Sequence, residues 1–130
     1  MKKIAVIDDD VNLRKLLTSV FERELEITAI SFPPMLEIID IIKENNFDLL
    51  IVDFLMPKID GVEIIINSLD ENHKIPIILT TGYPDMDEVQ AVKLNSGKFD
   101  ISVVGKPFVI LDLVDLVRTK LGFEKKEVKE

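Results

Sequence analysis

The chain has 130 residues, with 16 Lys and Arg against 24 Asp and Glu for a formal charge of −8 at pH 7, and a 47% hydrophobic content that is only 6% aromatic; that length makes one domain, able to bury on the order of two-thirds of its unfolded surface in a single core. The absence of Cys excludes disulfides, thiol catalysis, Cys-ligated zinc and iron–sulfur clusters, and a lone His73 leaves no His-rich metal site and argues against a Ser/His/Asp triad. The negative field is of the wrong sign for gripping phosphate backbones, so no direct nucleic-acid contact is expected.

Lys3 to Ile7 (KIAVI) is a short apolar run rich in β-branched residues and ended by acids, the pattern of a strand buried on both faces. Asp10 can cap the helix that follows, in which Val11, Leu13, Leu16, Leu17, Val20 and Phe21 form the apolar stripe and Arg14, Lys15, Glu22 and Arg23 lie on the other side. Ile27 to Phe32 reads as a second strand stopped by Pro33 and Pro34. Met35 to Glu44 reads as a helix with Leu36, Ile38, Ile39, Ile41 and Ile42 inward. Phe47 to Val52 is a third strand, again ended by an acid, Asp53. The PKIDG turn (57–61) places Asp60 as the cap of a helix running to about Leu69. His73 falls in the polar DENHK segment as a solvated loop residue. Pro76 to Thr80 is the fourth strand, and a short helix opens at Pro84 and Asp85 and runs through Leu94, with Gly97 near its end. Ile101 to Gly105 is the fifth strand. Phe108 to Leu121 is the last helix, with Val109, Leu113, Leu116, Val117 and Leu121 on one face. The tail EKKEVKE (124–130) balances its charges and has no apolar stripe, so it is expected to be solvated.

No apolar run approaches the roughly 18 residues of a membrane-spanning helix, so no membrane insertion is expected. The opening Met-Lys-Lys-Ile-Ala-Val-Ile runs straight into Asp8, Asp9 and Asp10, which a signal peptide does not tolerate, and cytoplasmic residence is the default.

Five apolar strands alternating with five helices call for a parallel sheet covered on both faces. Right-handed crossovers then favour an α/β doubly wound fold with strand order 2-1-3-4-5, in which ligands bind beyond the carboxyl ends of the strands at the β1/β3 switch point. At that edge the sequence brings Asp8 and Asp9 after the first strand, Asp53 after the third, Thr81 after the fourth and Lys106 after the fifth. Three carboxylates so close raise one another's pKa, and a divalent cation resolves the conflict. An oxygen-only donor set favours a hard ion, Mg²⁺ or alternatively Mn²⁺. Lys106 supplies a fixed positive charge and Thr81 a hydroxyl, both suited to a phosphoryl group. A carboxylate is already ionised near neutral pH and needs no general base, which accounts for the missing His and Cys nucleophiles.

The strings IDDD (7–10), LLIVDFLMPKIDG (49–61), PIILTTG (76–82) and GKPF (105–108), in that order, make the chain resemble the receiver domain of two-component response regulators, of the chemotaxis-regulator kind, over about residues 3–121. The resemblance implies a flavodoxin-like fold and a receiver domain over residues 1–123. It implies that Asp53 is the phosphoacceptor, that Asp8, Asp9, Asp53 and the backbone carbonyl of Leu55 hold Mg²⁺, that Thr81 is the switch hydroxyl and that Lys106 contacts the phosphoryl group. Thr80, which does not directly precede Gly82, is expected to be structural. The implied phosphodonor is a histidine kinase or a histidine phosphotransfer protein, and the implied output is an unidentified downstream protein or a phosphorylation-dependent dimer. The domain would catalyse its own phosphorylation and slow dephosphorylation rather than act on metabolites. A cis bond between Lys106 and Pro107 is also implied.

The chain departs from the family pattern near the fifth strand. Val103 stands where an aromatic residue is usual, with Phe99 and Ile101 as displaced counterparts, and Gly105 stands where an apolar residue is usual. That departure keeps open a pseudo-receiver that acts only as a protein-interaction module. An aspartate-nucleophile phosphatase of the haloacid-dehalogenase type is a further alternative from the Asp8/Asp10 spacing, but it calls for a longer chain. A Rossmann dinucleotide domain is excluded, because no G-x-G-x-x-G follows the first strand. The seven-residue tail is too short for an output module, which leaves a stand-alone receiver or a longer regulator whose linker begins there.

Overall fold

Five parallel strands lie in the order β2-β1-β3-β4-β5, namely β1 (Lys3–Ile7), β2 (Thr28–Phe32), β3 (Leu49–Asp53), β4 (Ile77–Thr81) and β5 (Ile101–Gly105). The computed structural model describes residues 1–69, 74–87, 89–90 and 99–123. Four helices occur among them: α1 (Val11–Leu25), α2 (Ile38–Glu44), α3 (Gly61–Ser68) and α4 (Ile110–Lys120). His73, residues 88 and 91–94 of the helix expected from Pro84 to Leu94, and the tail 124–130 lie outside the described residues.

The inner strands β1, β3 and β4 are buried because both faces of the sheet are covered, whereas the edge strands β2 and β5 are partly exposed and carry Thr28, Ser31 and Ser102 rather than being apolar throughout. Along β1 and β3, Ile4, Val6, Leu49 and Ile51 point to one side and Ala5, Ile7, Leu50 and Val52 to the other, all essentially without solvent contact. The first set packs under α1 and α4 with Leu17, Phe21, Leu113 and Val117, and the second under α2 and α3 with Ile38, Ile64 and Ile65. Phe21 is fully buried, and truncating it to Ala would cost about 3–5 kcal/mol in lost transfer energy and cavity. No helix among the described residues is long and apolar enough to cross a membrane.

The helix starts follow their capping chemistry. The Asp10 side chain accepts the N–H groups of Asn12 and Leu13 at the start of α1. Asp60 and Glu63 form a reciprocal capping box at the start of α3. Where no such cap exists, the expected boundaries move. α2 begins at Ile38 rather than Met35, because residues 35–37 after the two prolines form a separate turn in which the Ile38 N–H reaches the Met35 carbonyl. α4 begins at Ile110, with Val109 extended at its N-cap.

Several residues expected inward are exposed. Leu36 lies in the turn before α2, Val109 precedes α4, and Val11 and Leu16 sit at the margin of the α1 stripe; all four are exposed. The stripes that pack are narrower than the apolar periodicity, because each helix rests on a sheet along one line of contact.

Candidate functional site

β1 and β3 are neighbours in the sheet, and in chain order β1 leads to β2 on one flank while β3 leads to β4 on the other. This is the switch point, and the acids collect beside it. The Asp8 N–H donates to the Phe32 carbonyl at 3.3 Å, carrying the β1–β2 ladder one residue past β1 and burying Asp8. Asp53 is the last residue of β3 and is buried, paired in register with Thr80. Asp9 is exposed. One carboxylate oxygen from each of Asp8, Asp9 and Asp53 lies within 4.8 Å of the others, a spacing at which a single cation could touch all three.

Lys106 follows β5 and reaches back over this cluster. Its backbone N–H donates to the Thr81 carbonyl at 2.7 Å, its bond to Pro107 is cis as expected, and its Nζ lies 2.9 Å from Asp8 Oδ2 and 3.3 Å from Asp53 Oδ1. The other Asp8 oxygen accepts the Asp10 N–H at 2.9 Å.

Burial and the neighbouring Asp8 charge push the Asp53 carboxyl up to about 6, with Asp9 adding to the rise and Lys106 opposing it. Burial would lower the Lys106 ammonium, but its hydrogen bond to Asp8 and the charges of Asp53 and Asp8 outweigh this and hold it above the ordinary lysine value. The cluster therefore carries more negative charge than its one lysine relieves.

Thr81 ends β4 as a buried residue, and its Oγ1 accepts the Tyr83 N–H at 2.9 Å, which leaves the hydroxyl proton for an acceptor in the cleft. Thr80 is also buried, and its carbonyl takes the Phe54 N–H at 2.8 Å. Leu55 and Tyr83 are both exposed, each two residues beyond a buried polar group of the site.

The loop from Phe54 to Asp60 is held tightly. Lys58 has a φ of 74°, and the Ile59 N–H reaches the Pro57 carbonyl at 2.9 Å, a γ-turn of the positive-φ kind. Gly61 then returns to β3, its N–H donating to the Phe54 carbonyl at 2.7 Å.

On β5, Val103 pairs with Leu79 and packs with Phe99 and Ile101 against the core on the α2–α3 side.

Sequence reasoning placed Arg14 on the solvent side of α1, and the structure corrects this. Arg14 is half-buried, and its Nη1 donates to the Asp8 backbone carbonyl at 2.7 Å. Position on a helical wheel describes where Cβ points, and a long guanidinium stem near a helix start can turn back past the cap. The signal was the short separation from Asp8, one turn into a helix that begins at the site.

The family whose profile matches the chain is described as the response regulator receiver domain, over residues 4–118. Sporulation initiation phosphotransferase F of Bacillus subtilis is 32% identical over 122 residues, covering 92% of this chain and 94% of that protein. The transcriptional regulatory protein CpxR of Escherichia coli is 31% identical over 124 residues, covering 93% of this chain and 50% of the regulator's length. Among solved structures, the response regulator TrrA of Thermotoga maritima, in complex with Mg²⁺-BeF, superposes with a TM-score of 0.74 at 29% identity, covering 92% of this chain and 98% of that one.

Proposed function

The chain belongs to the receiver-domain family of two-component response regulators, and on that premise we propose that it is a phosphoacceptor. A phosphohistidine on a histidine kinase or a histidine phosphotransfer protein gives its phosphoryl group to Asp53 in a Mg²⁺-dependent transfer, which switches a protein-interaction surface. The observation that carries this reading is the Lys106 ammonium held between Asp8 and Asp53, with Asp9 completing a carboxylate cluster that one cation does not neutralise.

In the transfer, a carboxylate oxygen of Asp53 forms the new P–O bond as the donor's P–N bond breaks, and the bonding pair returns to the imidazole. With its pKa near 6, Asp53 is ionised at neutral pH and needs no base to activate it. Lys106 and the Thr81 hydroxyl stabilise the charge on the equatorial phosphoryl oxygens, so catalysis is positioning plus electrostatics. The oxygen-only set of Asp8, Asp9 and Asp53 fits Mg²⁺ or Mn²⁺, with the Leu55 carbonyl as a further ligand. Bound there, the ion would supply compensating positive charge to the carboxylates and the phosphoryl oxygens.

The names of relatives support the same direction, one being a phosphotransferase and another having been crystallised with Mg²⁺-BeF. The proposed receiver domain spans residues 1–123, and its setting in this reading is the cytoplasm, where kinase and downstream protein would meet it.

Incubation with acetyl phosphate and Mg²⁺, followed by intact mass measurement, tests the reading. A single phosphate adduct that is lost in Asp53→Asn supports it. An unmodified chain under conditions that load a known receiver would favour the pseudo-receiver instead.

A further inference from the structure

We propose that Arg14 is a positioning residue for the divalent-cation site, fixing the peptide that joins Asp8 to Asp9. The inference rests on the reading of Asp8, Asp9 and Asp53 as cation ligands. The Asp8 carboxylate is oriented directly, by the Asp10 N–H on one oxygen and by Lys106 on the other. The Asp9 carboxylate is exposed and receives no hydrogen bond among the described residues, so only its backbone can place it. That backbone enters through the planar Asp8–Asp9 peptide, a unit that turns as a whole. The Arg14 Nη1 holds the carbonyl of this peptide at 2.7 Å, at the point where β1 has ended and α1 has not begun.

The alternative role for a guanidinium beside acids is charge neutralisation, and the geometry argues against it. Arg14 makes no ion pair within 4.0 Å with Asp8, Asp9 or Asp53, whereas Lys106 makes two. Its bond goes to a neutral carbonyl and leaves the carboxylate oxygens to a metal. The two roles have opposite consequences. A neutralising cation competes with a bound metal, so its removal would tighten metal binding. A positioning contact outside the ligand set supports the metal, and losing such contacts commonly weakens affinity by about 10–100-fold.

The test is calorimetric titration of the full chain with MgCl₂ for wild type, Arg14→Ala and Arg14→Lys, with circular-dichroism melts in EDTA to follow the fold without metal. Arg14→Ala is expected to raise the Mg²⁺ dissociation constant about tenfold. Arg14→Lys keeps a donor that can reach the same carbonyl and is expected to recover part of that loss. If the alanine variant is unfolded in EDTA, Arg14→Met, which keeps much of the side-chain stem but has no donor, carries the test: weaker Mg²⁺ binding supports positioning, and unchanged or tighter binding overturns it. Unchanged or tighter binding in a folded Arg14→Ala overturns the proposal while leaving the cation site standing. Absence of Mg²⁺ binding in the wild type overturns the cation site itself and the proposal with it.

Discussion

The backbone of Gly61 lies so close to that of Asp53 that a Cβ on the glycine would stand 2.5 Å from the Asp53 carbonyl oxygen. The next neighbours of that Cβ would be Leu79 Cδ1 at 2.9 Å and Val52 Cγ1 at 3.0 Å. The side chains can yield a little, but the carbonyl belongs to β3 and cannot swing aside. Gly61→Ala is therefore expected to destabilise the fold by about 1–3 kcal/mol through overpacking. Because the displaced atom belongs to the residue read as the phosphoacceptor, phosphorylation by acetyl phosphate is expected to slow as well. Urea denaturation checks the first effect, and a stability within about 0.5 kcal/mol of wild type would mean that the approach is not tight.

Asp53 gives the metal-free protein a pH dependence whose sign can be worked out. Its pKa is about 6 in the folded chain against an ordinary value of 3.8, so between those values the folded state holds more proton than the unfolded. Stability contributed by this group is full below the lower value and declines as pH rises through the window, reaching a plateau above about 6. Asp53→Asn, neutral at every pH, lacks that penalty. In EDTA the variant is expected to match wild type near pH 4 and to exceed it at pH 7.5 by on the order of 1–2 kcal/mol, the full shift being discounted for solvent screening. Parallel denaturation curves across pH measure this. A variant less stable than wild type at pH 7.5 would show that the Lys106 bridge outweighs desolvation and the Asp8 charge.

Gly105, beside Lys106, is in the opposite situation to Gly61. Among the described residues a Cβ there would meet only Pro84 Cγ, at 4.0 Å, and its φ is not in the left-handed region. Nothing in the packing of the described residues requires glycine at this end of β5. Gly105→Ala is expected to raise stability by about 0.4–1 kcal/mol by restricting the unfolded chain, with phosphorylation of Asp53 unchanged. A loss of stability, read from the same denaturation experiment, would overturn this.

The fold could be read before the structure because its determinants are local and repeated. Four of the five strands are short, largely aliphatic or β-branched runs with a polar residue at or just past their end, β2 stopping instead at Pro33 and Pro34, and that pattern has one common solution when helices alternate with it. The site was legible for the same reason: Asp8, Asp53, Thr81 and Lys106 are the residues at which those runs stop or just beyond. Helical periodicity was a poorer guide. It assigned Val11, Leu16, Leu36 and Val109 to the core because it reports an apolar direction, whereas packing depends on how far along the sheet edge each helix extends. Arg14 was missed because a flexible side chain that doubles back to a backbone carbonyl leaves no periodic trace. The γ-turn at Lys58 was equally hidden, since positive φ at a lysine has no compositional mark.

The lifetime of the phosphorylated state turns on what can place a water in line with the aspartyl phosphate. By resemblance to other receivers, the residues two beyond the phosphoacceptor and two beyond the switch hydroxyl flank that approach, and here they are Leu55 and Tyr83. Both are exposed beside the buried Asp53 and Thr81, and the Tyr83 backbone is tied to the Thr81 hydroxyl oxygen at 2.9 Å. Neither side chain offers a carboxylate or an amide to orient water, and their apolar surface excludes water more than it recruits it. Slow loss of phosphate is therefore expected, suited to a relay or a sustained signal. Leu55→Asn and Tyr83→Glu each introduce a group that can hold a water, and each is expected to accelerate decay by roughly tenfold, equivalent to about 1.4 kcal/mol of barrier. Following the adduct by intact mass after removal of the phosphodonor measures the rates. If both polar variants decay at the wild-type rate or more slowly, these two side chains do not set the lifetime.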